Sequence, residues 1–152
     1  LQKIRSTIVE NSINLIDLNL ESMREVLKKC DLTKYNDDCP YLIFYFTGRS
    51  PPELTQGELK MFQAKFMKIM ELRQILKDNE GGVDGNRPYY PYYIYKIAEI
   101  VFRGNEEKLK ILDYIHLQSD DTLRKNDNEF EKIVAKAKKE DYVWYCPTRR
   151  RT

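Results

Sequence analysis

The chain has 152 residues, of which 41% are hydrophobic and 33% are charged, with both signs mixed along its length. This composition excludes wholesale disorder and is enough for one folded domain with a real hydrophobic core. The formal net charge is +2, and it becomes −1 when the consecutive arginines Arg149, Arg150 and Arg151 are set aside. The balance excludes a uniformly basic protein that coats DNA, because such a protein needs many cations on one surface.

No apolar run approaches the length of a membrane span and no secretory signal is recognisable, so we expect no membrane association. The three cysteines, Cys30, Cys39 and Cys146, show no C-x-x-C spacing, and His116 is the only histidine. We therefore expect reduced thiols in an intracellular setting, and no metal site formed by this chain alone.

The N-terminal stretch up to residue 19 has apolar residues without a clear period, so helix and strand both stay open there. From Leu20 to Cys30 the apolar residues, with Met23 and Leu27 between them, recur at helical spacing. Charged residues fill the other side of this segment, which predicts an amphipathic helix.

Residues 41–46 are six consecutive apolar or aromatic residues between Pro40 and Gly48. They are compatible with a buried strand. Asp38 as a cap, Pro40 in the first turn and Gly48 as a left-handed stop favour a short, nearly fully buried helix instead. The following residues 49–52 end in two prolines, which predicts a rigid, extended connection.

Thr55 and Glu58 have capping-box spacing and predict the start of a long helix that runs to about Leu76. We expect it to be the most amphipathic helix of the chain. Its apolar stripe consists of Leu59, Phe62, Phe66, Ile69 and Leu76. The glycine-rich residues 78–88 predict a surface loop, and they lack the spacing of a phosphate-binding loop.

The tyrosine-rich segment 89–103 predicts a helix that begins at Pro91 and ends at Gly104. We expect Lys96, Glu99 and Arg103 on its polar edge. We expect its apolar edge to contain Ile94, Ile97, Ala98 and Val101.

Two more helices complete the prediction. Asn105 can cap a helix that reaches about His116, and Ser119 or Asp120 can cap a last long one. The residues of the last helix that should face inward are Leu123, Phe130, Ile133 and Ala137. Residues 142–145 are either a short strand or an extended tail that packs back on the fold.

The predicted fold class is therefore all-α, a compact single domain of about six helices with at most a short strand-like segment near the C-terminus. We predict three segments: an N-terminal lead-in over residues 1–19, for which the sequence does not decide between helix and strand, a helical domain over residues 20–148 and a basic tail over residues 149–152.

Catalytic patterns are not found in the sequence, and we expect no enzymatic activity. The acidic pairs Asp37/Asp38, Glu106/Glu107 and Asp120/Asp121 stand where helices are predicted to begin, which is ordinary capping use. No G-x-S-x-G, H-E-x-x-H or phosphate-loop pattern is present, and His116 lies near a predicted helix end, where a structural role is more common than a catalytic one.

Two short segments have the composition of a nucleic-acid contact. Arg87, Tyr89, Tyr90 and Lys96 mix cations with aromatic rings that can stack on bases, although helical tyrosines more often bury their rings and leave the hydroxyl wet. The tail 149–151 can hold phosphates at about one contact per arginine, or it is simply a solvated end.

Several segments, in their order and separation, carry a resemblance to a known family. They read VLKKCDLTKY at 26–35, TGRSPPEL at 47–54, RPYYPYYIYKI at 87–97, ILDYIHLQSDDTLRKND at 111–127 and YCPT at 145–148. The chain resembles the poxvirus-type late transcription factor 3 family of large nucleocytoplasmic DNA viruses over about residues 20–148. Phe130 stands where the family often has Trp, and the cysteine-rich, zinc-binding segment common N-terminal to this region is not found.

The resemblance implies a non-catalytic viral factor for late genes that recruits the viral RNA polymerase or other late transcription factors, with DNA as a further partner. It also implies that the protein is located in the host cytoplasm, at the virus factory. Packaging of the protein in the virion is a further expectation. The motif residues then expected at partner contacts are Tyr35, Arg49, Pro51, Pro52, His116, Lys125 and Asp127. Zinc enters only through a further N-terminal segment. The alternative is a virion-associated or minor structural interaction protein with the same fold.

Overall fold

The computed structural model describes residues 1–80 and 87–138, and all regular secondary structure in these ranges is helical, which confirms the all-α fold class. In these two ranges the chain forms seven α-helices. They are α1 (Gln2–Glu10), α2 (Leu20–Lys29), α3 (Cys39–Thr47), α4 (Gln56–Ile75), α5 (Tyr90–Val101), α6 (Glu106–Leu109) and α7 (Asp120–Lys138).

The helices belong to two compact units: Leu1–Pro52 forms the first, and the second begins at Glu53. The boundary falls at the end of the proline-rich connection 49–52, whereas the sequence predicted one helical domain over residues 20–148. None of the described helices combines the length and the apolar character that crossing a membrane requires.

The first unit packs α1, α2 and α3 around a small apolar core. The N-terminal stretch that stayed open in sequence is helical over α1 and then makes a short 3₁₀ turn at Leu15–Asp17. α2 confirms its prediction, with Asn19 and Ser22 forming a capping box. The fully buried side chains of this unit are Leu18, Met23, Val26, Leu27 and Cys39.

Helix α3 forms where Pro40 and Gly48 predicted it, with Pro40 in its first turn and Gly48 at a φ of 76° as its left-handed stop. Asp38 occupies the N-cap position, but its side chain makes no cap hydrogen bond, contrary to the prediction. The expectation of near-complete burial is wrong. Tyr41, Phe44 and Tyr45 are 61%, 51% and 43% exposed. A helix nine residues long has one inward face, and Leu42 and Ile43 occupy it. The first unit therefore presents an aromatic face to its surroundings.

The connection after α3 is tied to the N-terminal part of the same unit. The Arg49 guanidinium donates to the carbonyl oxygen of Leu15 at 3.1 Å and to that of Leu18. The Leu15 carbonyl also accepts the backbone N–H of Leu18 at 3.2 Å within the 3₁₀ turn, and the Leu18 carbonyl lies just after that turn. Arg49 thus stabilises the turn that leads into α2.

The second unit is built on α4, α5 and α7. Its largest core contains Ile69 and Leu72 from α4, Tyr93 from α5, and Phe130 and Ile133 from α7, all at most 1% exposed. Leu123 and Ala137 also face inward, which confirms the inward positions predicted for the last helix.

Helix α4 starts at the predicted capping box, where Thr55 and Glu58 exchange hydrogen bonds of 2.8 and 3.1 Å. It ends in one wider turn over Leu76–Glu80. The expectation that α4 is the most amphipathic helix is wrong, because α2 separates its apolar and polar faces far more cleanly. In α4, Leu59 is 40% exposed and Arg73 is buried. Arg73 can lie inside because Glu129 on α7 approaches its guanidinium at 3.7 Å.

Helix α5 begins at Tyr90, one residue before the predicted Pro91, but it ends at Val101, three residues before the predicted stop at Gly104, and its faces also differ from the prediction. Lys96, assigned to the polar edge, is fully buried, and Ile94, assigned to the apolar edge, is 39% exposed. Three large tyrosines, Tyr92, Tyr93 and Tyr95, fill the interior and rotate the helix so that Lys96 points inward with them. The predicted helix from Asn105 to about His116 is shorter: α6 ends at Leu109 and a 3₁₀ turn continues to Tyr114.

Candidate functional site

The residues predicted to carry function are divided between the two units. Tyr35, Arg49, Pro51 and Pro52 lie in the first unit. The second unit holds Arg87, Tyr89, Tyr90, Lys96, His116, Lys125 and Asp127. The predicted tail 149–151 and the strand-like residues 142–145 lie outside the described residues.

The start of α5 brings a cation and two aromatic rings together at the surface. The Arg87 guanidinium lies 5.4 Å from the centre of the Tyr90 ring. Tyr90 in turn meets Phe66 edge to face at 5.6 Å and is 39% exposed. A cation beside a partly open ring can hold a phosphate and stack a base at one place.

Tyr89 and His116 also meet at this end of the second unit. The Tyr89 hydroxyl donates to the backbone carbonyl oxygen of His116 at 3.2 Å, and Tyr89 is half-buried. Both residues thereby fix the start of α5 against the segment that precedes α7. This contact uses the backbone carbonyl of His116, and a residue of any other type at this position would supply the same group.

Lys96 does not belong to this surface. It is fully buried, its Nζ lies 3.0 Å from the Glu99 carboxylate, and the Phe130 ring is 5.5 Å away. Such partners offset the cost of burying an ammonium, and exposing it would open the helix packing. The predicted contact between Lys96 and nucleic acid is therefore not supported by its position.

Lys96 is part of a polar layer inside the second unit that the sequence did not indicate. The Tyr92 hydroxyl donates to the Asp127 carboxylate at 2.5 Å. Burial raises the pKa of Glu99 above its usual value, and the nearby Asp127 carboxylate adds to this while Lys96 opposes it. Asp127 thus serves the interior of the fold, because its carboxylate accepts the buried hydroxyl.

The remaining predicted residues are placed on the surface. Lys125 is exposed on α7, and Pro51 is exposed at the end of the first unit, with Pro52 half-buried. Tyr35 is 41% exposed, and the Lys34 ammonium lies 5.1 Å from its ring centre.

The acidic pairs do not form a catalytic arrangement. Glu106/Glu107 and Asp120/Asp121 occupy first helical turns, as expected from the helix dipole. Asp37 and Asp38 lie in the 3₁₀ turn before α3.

The comparison with known proteins decides the family. Residues 1–142 match the family described as Poxvirus Late Transcription Factor VLTF3 like. The chain belongs to this family. The resemblance noted from the sequence is therefore confirmed, and the chain is a late-transcription-factor-like protein of the kind found in large DNA viruses.

Relatives were found in African swine fever virus. The chain is 34% identical over 134 residues to the Zinc finger protein B385R of an isolate from Kenya and of an isolate from South Africa. The match covers 88% of this chain and 34% of each relative, so the chain spans about a third of the length of these relatives. No solved structure matches the chain.

The name of these relatives raises the question of zinc, and the described residues do not fit a zinc site. They contain no group of three or more His, Cys, Asp or Glu side chains placed to hold a metal ion. Cys30 is buried and its thiol donates to the Val26 carbonyl oxygen at 3.1 Å. Burial raises the pKa of Cys39 to about 11, which disfavours the thiolate that zinc requires.

Proposed function

We propose that the chain acts in late gene transcription of a large DNA virus by recruitment, without catalysis of its own. In this proposal it links the viral RNA polymerase or another late transcription factor to late promoters. The match of residues 1–142 to the late-transcription-factor-like family carries the proposal.

The charge and surface of the chain support a recruiting role. Its net charge is +2 over 152 residues, so a broad electrostatic attraction to DNA is not expected. The aromatic residues Tyr41, Phe44 and Tyr45 are all more than 40% exposed on one helix. Aromatic side chains are enriched at the centres of protein–protein interfaces.

DNA contact is proposed to be local. Arg87 and Tyr90 supply one exposed cation–aromatic pair in the second unit. The arginines Arg149–Arg151 are a second candidate on sequence grounds alone. We propose that the protein is located in the host cytoplasm, at the site of viral replication, and that it is also packaged in the virion. Zinc is proposed only through a further segment, because the described residues lack a ligand set.

The recruiting role is tested by depleting the protein during infection. We expect late transcripts to be lost while early transcripts persist, and we expect the tagged protein to co-purify with the viral polymerase. Unchanged late transcripts would refute the proposal. Co-purification with capsid proteins instead would favour the virion-associated role.

The DNA contact has its own test, the salt dependence of binding to a late promoter duplex. Each phosphate contact that is removed lowers the slope of log affinity against log salt by about 0.9. We expect Arg87→Ala, and separately removal of residues 149–152, to flatten the slope. Lys60→Ala is the matched control, because Lys60 is an exposed cation of the second unit outside both segments. Equal slopes for all variants would exclude these two contacts.

A further inference from the structure

A groove in the first unit borders the exposed aromatic face of α3 and shares Tyr45 with it. It has a volume of about 540 Å³ and lies between α1, the turn that follows it, and α3. Its walls include Ile8 and Val9 from α1, Leu15 from the 3₁₀ turn, and Tyr45 and Phe46 from α3. The volume falls within the range of ordinary binding pockets, about 300–1,000 Å³.

The groove is open along one side. Val9 is 71% exposed, and Leu15 and Tyr45 are 42% and 43% exposed. Such walls do not enclose a small molecule, which normally loses most of its surface to its pocket. They suit a longer ligand that places a few side chains in the groove and continues beyond it.

One cation stands in this apolar groove. Arg5 is the only charged residue of the lining. Its guanidinium lies 5.8 Å from the centre of the Phe46 ring and donates to the Tyr45 hydroxyl at 3.4 Å. Within residues 1–80 and 87–138 it makes no ion pair of 4.0 Å or less with a carboxylate. Because Arg5 is exposed and the lining holds no carboxylate, an acidic side chain of a ligand can pair with it.

We propose that this groove binds an amphipathic helix of a partner protein, with apolar side chains at helical spacing and one acidic side chain that pairs with Arg5. The described residues form no strand whose edge could pair with an extended peptide, so the recognition must be through side chains. An Arg–carboxylate pair beside apolar contacts fixes the register of such a helix. This inference rests on the recruiting function proposed above and names the surface that performs it.

Nucleic acid fits this surface poorly. A single cation among eight uncharged lining residues gives little attraction to a phosphate backbone. A second copy of the chain would have to bring its own apolar face and carboxylate to Arg5. Both are kept as outcomes of the test below.

The experiment uses the full chain and a display library of 20-residue peptides tiled across the proteins of the virus that encodes it. We expect the enriched peptides to share apolar residues at i, i+3 or i+4, and i+7 and one acidic residue. Val9→Lys is expected to weaken their binding at least tenfold. Met67→Lys is the matched control, since Met67 is also 71% exposed but lies in the second unit, and it should leave binding unchanged.

Charge exchange tests the pairing itself. Arg5→Glu is expected to weaken the enriched peptides about tenfold, and a peptide with Lys in place of its acidic residue should recover binding to Arg5→Glu only. Circular dichroism of each variant checks that the helices are retained; for a variant that unfolds, Val9→Ser replaces Val9→Lys in the comparison.

Several results would overturn the inference. They are the absence of enriched peptides, equal binding by Val9→Lys, enriched peptides without an acidic residue, dimerisation of the chain that Val9→Lys abolishes, and DNA binding that Arg5→Glu abolishes. If Val9→Lys binds the peptides as the wild type does while the protein still co-purifies with polymerase, the groove is refuted and the recruiting function stands. If the peptides bind as expected but late transcripts survive depletion, the recruiting function is refuted and the groove stands.

Discussion

Replacing Lys96 by Met should destabilise the second unit severely, because Lys96 is the fully buried member of an ion pair. The Met side chain fills much the same volume, so the loss is mainly electrostatic. Glu99, whose side chain is 15% exposed, would be left without its ammonium partner, near Asp127. Removing one partner of a buried pair costs about 3–5 kcal/mol, a large share of the roughly 5–15 kcal/mol that stabilises a typical domain.

Urea unfolding, followed by the NMR methyl signals of Ile97 and Ile133, measures this cost in the second unit. We expect the folded-to-unfolded ratio to fall by a factor of roughly one hundred to several thousand for Lys96→Met. Glu99→Gln alone should also destabilise. The double variant should lose less than the sum of the two single losses, because no unpaired charge remains.

The pH dependence separates this cause from poor packing. Burial raises the pKa of Glu99 above 4.5, and Lys96 opposes the rise. In Lys96→Met the folded-state pKa therefore rises further, while the unfolded-state pKa does not. The folded state then keeps a proton that the unfolded state has lost, so stability is highest at low pH and falls as pH increases through the folded-state pKa. A loss under 1 kcal/mol, or one that does not change with pH, would refute the reasoning.

Three further predictions concern the first unit and its boundary. Because burial raises the Cys39 pKa to about 11, its thiolate fraction at pH 8 is about 100-fold below that of an ordinary cysteine. Mass spectrometry should find Cys39 alkylated at least that much more slowly than a cysteine in an unfolded peptide, and equal rates would contradict its burial. Arg49→Ala removes two hydrogen bonds to carbonyls and should lower the unfolding free energy by about 1 kcal/mol, with little recovery in Arg49→Gln; an unchanged urea midpoint would show that the turn does not need them. Gly48→Ala, at a φ of 76°, should cost about 1–2 kcal/mol by thermal unfolding, whereas Gly57→Ala in the first turn of α4 should be neutral or stabilising; equal effects would place the cost elsewhere.

Local sequence signals predicted where most helices begin and end. The Thr55–Glu58 capping box, Pro91 near the start of α5 and Gly48 after α3 each act on backbone groups within a few residues. Such signals are readable in one dimension, because both partners are close in sequence. The N-terminal residues carry no such signal, because α1 begins without a side-chain cap and is stabilised by packing against the rest of the first unit.

The interior of the second unit could not be predicted in the same way. Lys96 can be buried because its ammonium pairs with Glu99 and lies near the Phe130 ring, and Phe130 comes 34 positions later in the chain. A charge on a helix is normally assigned to the solvent side unless its distant partners are known. The same applies to Arg73, whose carboxylate partner Glu129 is on another helix.

The candidate surfaces show a similar limit. The sequence marked Arg87 and Tyr90, which are close together along the chain, and the structure does bring them into contact. It did not mark Arg5, because an isolated arginine in an irregular stretch carries no pattern. Arg5 becomes conspicuous only when folding places Tyr45 and Phe46, forty residues later, against it.

The first unit is formed by one unbroken stretch of chain, Leu1–Pro52. Every residue it needs has been synthesised before the ribosome reaches α4. By contrast, the pairing of Arg73 with Glu129 must wait until α7 has been made. At translation rates of about 5–20 residues per second, the time between completion of the first unit and synthesis of α7 is several seconds. During that time the nascent chain can already carry a folded first unit with its groove open, so a partner could engage the protein while its second half is still being made.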